Sequence, residues 1–185
     1  MKIHSEKILM DGTWVVVKEK DFEKGDGSSG SWRDIERKNS RQAAVMVPHT
    51  ERTDSLILIE QFRMPFSAPV IEFPAGLVDE GESMEQTAVR ELMEETGFAG
   101  RVVSISPDIA SSAGLTSETI RLVYMSAPEN PDAEPQLEGA EELQVHVIRP
   151  EKMELFYHSC LERGIIMDAK VFNYVAEHYD IGISQ

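Results

Sequence analysis

Between Gly76 and Phe98 the chain reads GLVDEGESMEQTAVRELMEETGF, which gathers Glu82, Glu91, Glu94 and Glu95 around Arg90. On a helix, residues three and four apart share a face, so Glu91, Glu94 and Glu95 project together while Val89, Leu92 and Met93 turn roughly the other way. Like charges at that spacing cost roughly a few tenths of a kcal/mol per pair, a cost that a divalent cation reverses. Carboxylates with no imidazole or thiolate beside them suit hard ions, Mg²⁺ first and Mn²⁺ as the alternative. Arg90 reaches Glu94 one turn on, and Gly97 stops the helix. An ion held there neutralises anionic oxygens of a substrate and lowers the pKa of bound water.

The elements around this helix follow from alternation and β-branched content. Strands are expected near Trp14 to Lys20, Ser31 to Lys38, Ala43 to Pro48, Ser55 to Gln61 and Val70 to Phe73, the first two as a hairpin. After the glutamate helix come strands near Arg101 to Ile109, Thr119 to Ser126 and Leu143 to Arg149, then helices near Pro150 to Arg163 and Asp168 to His178. This order is neither a βαβ alternation nor an all-β array, and it fits a mixed sheet flanked by helices. The Pro- and acid-rich segment from Ala127 to Glu138 is read as an exposed loop. Gly25, Gly27 and Gly30 satisfy G-x-G-x-x-G, but no apolar strand precedes them and no helix follows, so they mark a hairpin tip rather than a dinucleotide site.

The 185 residues, 41% hydrophobic and 28% charged, can bury one core. A formal net charge of -15 argues against nucleic acid and against an anionic membrane as partners. No stretch approaches the ~20 apolar residues of a membrane span, and Cys160 is the only cysteine, so a cytoplasmic setting is expected. The five histidines are scattered without metal-ligand spacing.

The glutamate segment satisfies G-x5-E-x7-R-E-U-x-E-E-x-G-U through Gly76, Glu82, Arg90, Glu91, Glu94, Glu95 and Gly97, with Leu92 and Phe98 at the bulky positions. It resembles the signature of the Nudix hydrolases, with Phe98 where an aliphatic residue is more usual. The resemblance implies a Nudix-type α/β/α sandwich with a mixed β-sheet, preceded by an N-terminal β-hairpin. Residues 1–40 would supply N-terminal strands used in dimerisation, and 41–185 the hydrolase domain. It further implies Glu91 and Glu95 as the main metal ligands, Glu82 and Glu94 as lesser ones, the Ala75 carbonyl as another, and Arg90 as an orienting partner.

Beyond that segment, Trp14, SWRDIERK, EQFRMP, IEFPAGLVDEGE, SAGLTSE and MDAKVFNYV together resemble ADP-ribose and ADP-sugar pyrophosphatases. That likeness implies a nucleotide-sugar substrate cleaved to AMP and a sugar phosphate, a homodimer, Trp14 and Trp32 stacking on the adenine, and Arg37 and Arg63 facing the phosphates. Stacking holds a base at ~1 to 3 kcal/mol in nucleic-acid examples, and a guanidinium pairs bidentately with phosphate. For the general base the likeness offers Glu141 and Glu142, with Glu138 and Glu118 as alternatives. Ala113 departs from the proline common before the glycine at Gly114. Open alternatives are hydrolysis of NADH, GDP-mannose or an oxidised nucleotide, and a noncatalytic nucleotide-sugar-binding module.

Overall fold

The computed structural model describes residues 1–38, 42–137 and 142–183. The chain opens with β1 (Lys2–Asp11), β2 (Val15–Glu23) and β3 (Ser29–Arg37), an antiparallel sheet in that order. The expected hairpin is β2 and β3, in register from Val15 opposite Arg37 to Glu23 opposite Ser29, with Gly25 and Gly27 in its turn. β1 extends it. Every residue of β1 is exposed, so no buried face imprints an alternation on KIHSEKILMD.

The second sheet is built from β4 (Gln42–Thr50), β5 (Leu56–Arg63), β6 (Ala68–Glu72), β7 (Ala75–Leu77), β8 (Arg101–Ile105), β9 (Ile109–Ala110), β10 (Thr119–Ala127), β11 (Leu143–Ile148) and β12 (Ile166–Met167). Its path runs β12-β6-β5-β4-β10-β8, with β11 on β5, β7 on β4 and β9 on β10. β10 lies parallel to β4 and β12 parallel to β6, and the other pairs are antiparallel. The helices are α1 (Met84–Thr96), α2 (Met153–Glu162) and α3 (Ala169–His178).

Period-two alternation divides the sheet between two cores. Ala44, Met46, Ile57, Val123 and Met125 face α1, where Ala88, Leu92 and Phe98 cover them. Val45, Val47, Leu56, Leu58 and Ile120 face the other way, beneath Met153 and Cys160 of α2 and Val171 and Val175 of α3. The layers are therefore helix, mixed sheet, helix. Leu92 is fully buried, a burial of about 1.5–3 kcal/mol, and Phe98 fills the same core. Val89 departs from its expected place: it is exposed, and the buried stripe of α1 runs through Ala88 and Leu92 instead. The anionic and apolar stripes are adjacent, because Glu91 and Glu95 each neighbour a stripe residue and face β7 at the sheet's end. The expected strand to Ile109 breaks into β8 and β9 around Pro107, which cannot donate to a ladder.

The N-terminal sheet docks on the second through a parallel bridge between Ile35 and Thr116, with the Ile35 amide donating to the Leu115 carbonyl at 2.8 Å. Among the described residues no helix is long and apolar enough to cross a membrane.

Candidate active site

α1 is delimited by its own polar residues. Ser83 caps the N-terminus in a reciprocal box, its hydroxyl accepting from the Gln86 amide at 3.2 Å and the Gln86 side chain accepting from the Ser83 amide at 2.9 Å. Gly97 ends it in the left-handed region, φ 76°, with its amide on the Met93 carbonyl. The chain after β10 then returns beneath this end, where the Gln136 amide donates to the Glu94 carbonyl at 2.7 Å.

Within this frame Arg90 organises the carboxylates. Its Nε and Nη2 donate to the two oxygens of Glu82, each at 2.9 Å, while Nη1 donates to Glu91 at 2.9 Å and to Glu94 at 3.0 Å. These hydrogen bonds, those from Arg90 ahead of that from Thr87, pull the Glu82 pKa down to about 2, and the Glu82 contact is the chief cause holding the Arg90 proton more tightly than usual. Burial pushes Glu91 the other way, upward, against the pull of Arg90. Glu95 accepts from the Ala75 amide at 3.0 Å, which ties the helix to β7. A Cβ at Gly76 would stand 1.9 Å from the Glu91 carboxyl carbon, so the missing side chain is the slot in which that carboxylate lies.

A cleft of about 550 Å³ opens here. It brings together Ala75, Arg90, Glu91, Glu94 and Glu95 with Arg37, Arg63 and Glu118, residues spread across most of the chain. Glu82 lies behind Arg90 rather than in the lining. The arginines arrive paired: Arg37 Nε donates to Glu118, and Arg63 Nε to Glu72 at 2.6 Å. A guanidinium carries five donors, so both keep N–H groups for phosphate oxygens. Glu72, Ser111, Gln136 and Lys170 also line the cleft without having been singled out from the sequence. For Glu72 and Lys170 the available signal was position, at the ends of an apolar run and at the start of a helix.

The residues expected beyond the cleft divide. Trp32 lines a neighbouring cavity of about 700 Å³ with residues 113–117 and the N-terminal sheet. Trp14 sits in the turn before β2, and both indoles are exposed, at 70% and 54% for Trp14 and Trp32, so neither is a core residue. Glu142 stands exposed at the head of β11, outside the cleft lining, while Glu138 and Glu141 lie outside the described residues.

The donor set fits a hard divalent cation. All its side-chain donors are carboxylate oxygens, they flank a backbone slot that a Cβ would fill, and four cationic and six anionic side chains line the cleft, an acid excess. In this arrangement Arg90 is shared among Glu82, Glu91 and Glu94, and no three acidic, histidine or cysteine side chains among the described residues converge as ligands on one point.

Comparison with known proteins adds three findings. A family model described as NUDIX domain matches residues 40–165. A Mus musculus protein named ADP-sugar pyrophosphatase is 29% identical over 184 residues, spanning 93% of this chain and 84% of its own length, and a Saccharomyces cerevisiae ADP-ribose pyrophosphatase is 36% identical over 126 residues, 66% of this chain and 54% of its own. A solved structure described as an ADP compounds hydrolase superposes with a TM-score of 0.66 over 85% of this chain and 82% of that one, at 22% identity, a likeness of fold.

Proposed function

The chain belongs to the NUDIX family and is a hydrolase of that family, and on this footing we propose that it cleaves ADP-ribose or a related ADP-sugar into AMP and a sugar phosphate. The observation that carries the reading is the single cleft in which Glu91, Glu94 and Glu95 face Arg37 and Arg63. Carboxylates alone would repel a diphosphate, and arginines alone would bind it without activating water.

Nudix hydrolases need a divalent metal, and we take it to be Mg²⁺ here, held by Glu91, Glu95 and the Ala75 carbonyl, with Glu82 and Glu94 as lesser ligands. When bound, the cation neutralises phosphate oxygens and makes water a better nucleophile at neutral pH. Arg90 holds the carboxylates in place through Glu82, and Arg37 and Arg63 grip the diphosphate with the donors their glutamate partners leave over. Glu141 or Glu142 is the proposed general base, supported by Leu137 in the cleft lining just before them; Glu118 is the alternative that itself lines the cleft.

The base lies on Trp14 and Trp32, and the protein works as a homodimer through its N-terminal strands. Trp14 accepts from the Lys38 amide at one end of the hairpin, whereas Trp32 is opposite Lys20. The six residue steps from Trp14 to Lys20 along β2 span roughly 20 Å, against about 7 Å between two rings that flank one base. One copy therefore cannot supply both faces of the sandwich. Exposed Ile3, Ile8, Leu9 and Met10 on β1 give the apolar surface a second copy would cover. The buried, solitary Cys160 supports a cytoplasmic setting.

The test is AMP release from ADP-ribose with Mg²⁺, beside a panel containing NADH and GDP-mannose. Preferential turnover of ADP-ribose is expected, with Trp32→Ala acting mainly on KM. Turnover of another member alone would reassign the substrate, and ADP-ribose binding without hydrolysis in Mg²⁺ would make the protein a sensor.

A further inference from the structure

Lys170 is a cation in the cleft that the diphosphate reading leaves unused. It lies in the first turn of α3, and its ammonium is held by Asp168 at 2.8 Å, the same residue whose carboxylate caps that helix through the Lys170 amide. The Asp168 amide in turn donates to the Ile71 carbonyl at 2.9 Å, which fastens this turn beside Glu72, the partner of Arg63. Lys170 is thus a positioned donor, and an ammonium with three N–H bonds keeps some for a ligand after meeting one carboxylate.

Its place across the sheet tells which part of a ligand it meets. Arg37 and Glu118 stand at the β10 flank, the Ala75–Leu77 strand is paired to β4 in the middle, Arg63 and Glu72 come from β5 and β6, and Lys170 follows β12 at the far flank. Arg37 and Lys170 thus enter the cleft lining from opposite ends of the strand path. Trp32 and the N-terminal sheet lie beyond the β10 flank, so a ligand with its base there and its diphosphate at the middle delivers its remaining end to Lys170.

We infer that Lys170 is a specificity-determining residue that donates to the hydroxyl groups of the distal sugar. The inference rests on the ADP-sugar reading above. It is tested with two substrates, ADP-ribose and the β-methyl ester of ADP, which keeps the base, both phosphates and the charge but has no distal sugar. Lys170→Ala should lower kcat/KM for ADP-ribose about tenfold or more, as expected for a lost hydrogen bond from a charged donor, and leave the methyl ester within about twofold of wild type. Lys170→Arg should recover much of the loss. Equal losses on both substrates, or none on either, overturn the inference while leaving the ADP-sugar reading standing. A wild-type protein inert toward ADP-ribose overturns both. Should the alanine variant fail to fold, Lys170→Gln, which keeps the side-chain stem, gives the same readings.

Discussion

Two glutamates one turn apart have different surroundings, and those surroundings assign their work. Glu91 is pressed into the slot at Gly76, where burial raises its pKa and makes a neutralising cation welcome. Glu95 holds the Ala75 amide with one oxygen, which aims the carboxylate at the carbonyl-bearing loop. Glutamine in place of either keeps the shape and removes the charge. Glu95→Gln and Glu91→Gln should therefore each lose about a hundredfold or more in kcat, the scale of a ligand that stabilises transition-state charge, at a Tm close to wild type. Wild-type turnover by the Glu95 variant at saturating Mg²⁺ would remove it from the ligand set. Arg90 makes a different prediction, read in metal-free buffer. Because Arg90 is the chief cause of the depressed Glu82 pKa, the contribution of their pairing is present above the ordinary value of 4.5 and is lost as pH falls toward about 2. Arg90→Met should thus melt below wild type near neutrality, and the gap should close between pH 4.5 and 2. A gap that stays constant across that window means the pairing does not couple to folding.

At the level of the element, the site is a loop and a helix held at a sheet's end, and the fit between them is tight at Gly76. Alanine there has to displace the Glu91 carboxylate, since the flexible side chain yields more readily than β7 paired to β4. Gly76→Ala should cost about tenfold or more in kcat/KM by misplacing a ligand, with helix content by circular dichroism unchanged; full activity would mean that Glu91 works from another position. This loop and helix were legible in the sequence because their constraints are local, with glycines, caps and i, i+4 charges all falling inside the span from Gly76 to Phe98. The Ser83 and Gln86 box was readable by the same rule. β4 and β5 were legible too, since burial on both faces keeps the runs 44–47 and 56–59 apolar, and β10 was legible from its apolar content and its largely alternating burial. β1 was not, because solvent on both faces leaves no pattern. β7 and β12, at three and two residues, are too short to carry a period. Val89 is exposed because the sheet meets α1 along the stripe of Ala88 and Leu92, one position round the helix, and which stripe meets the sheet is set by tertiary packing rather than by the local pattern. The pairings of Arg37 with Glu118 and Arg63 with Glu72 depend on which strands become neighbours, and no local rule specifies that.

For the whole molecule, β1 and the two indoles of the N-terminal region are the part that the monomer leaves exposed. Trp14 precedes the open end of the hairpin and Trp32 lies about six residue steps further along it, opposite Lys20, and on the proposed homodimer reading a two-sided stack draws one ring from each copy. In a symmetric dimer both sites have the same composition, each taking Trp14 from one protomer and Trp32 from the other. This makes the assembly testable by complementation. Homodimers of Trp14→Ala lack the first ring at both sites and homodimers of Trp32→Ala the second, and each should bind ADP-ribose about tenfold or more weakly, the loss of one stacking contact. A mixed dimer behaves differently. Its one site lacks both rings, but the other joins an intact Trp14 to an intact Trp32. Random exchange of equal amounts makes half the dimers mixed, so about a quarter of all sites should regain wild-type affinity, visible as a high-affinity phase in AMP release at low ADP-ribose that neither parent has. If instead one chain supplied both rings to its own site, every site in the mixture would still lack one of them and no such phase would form, however long the protomers exchanged. Size-exclusion chromatography before and after mixing checks that exchange took place, so a missing phase reports on the site rather than on slow dissociation.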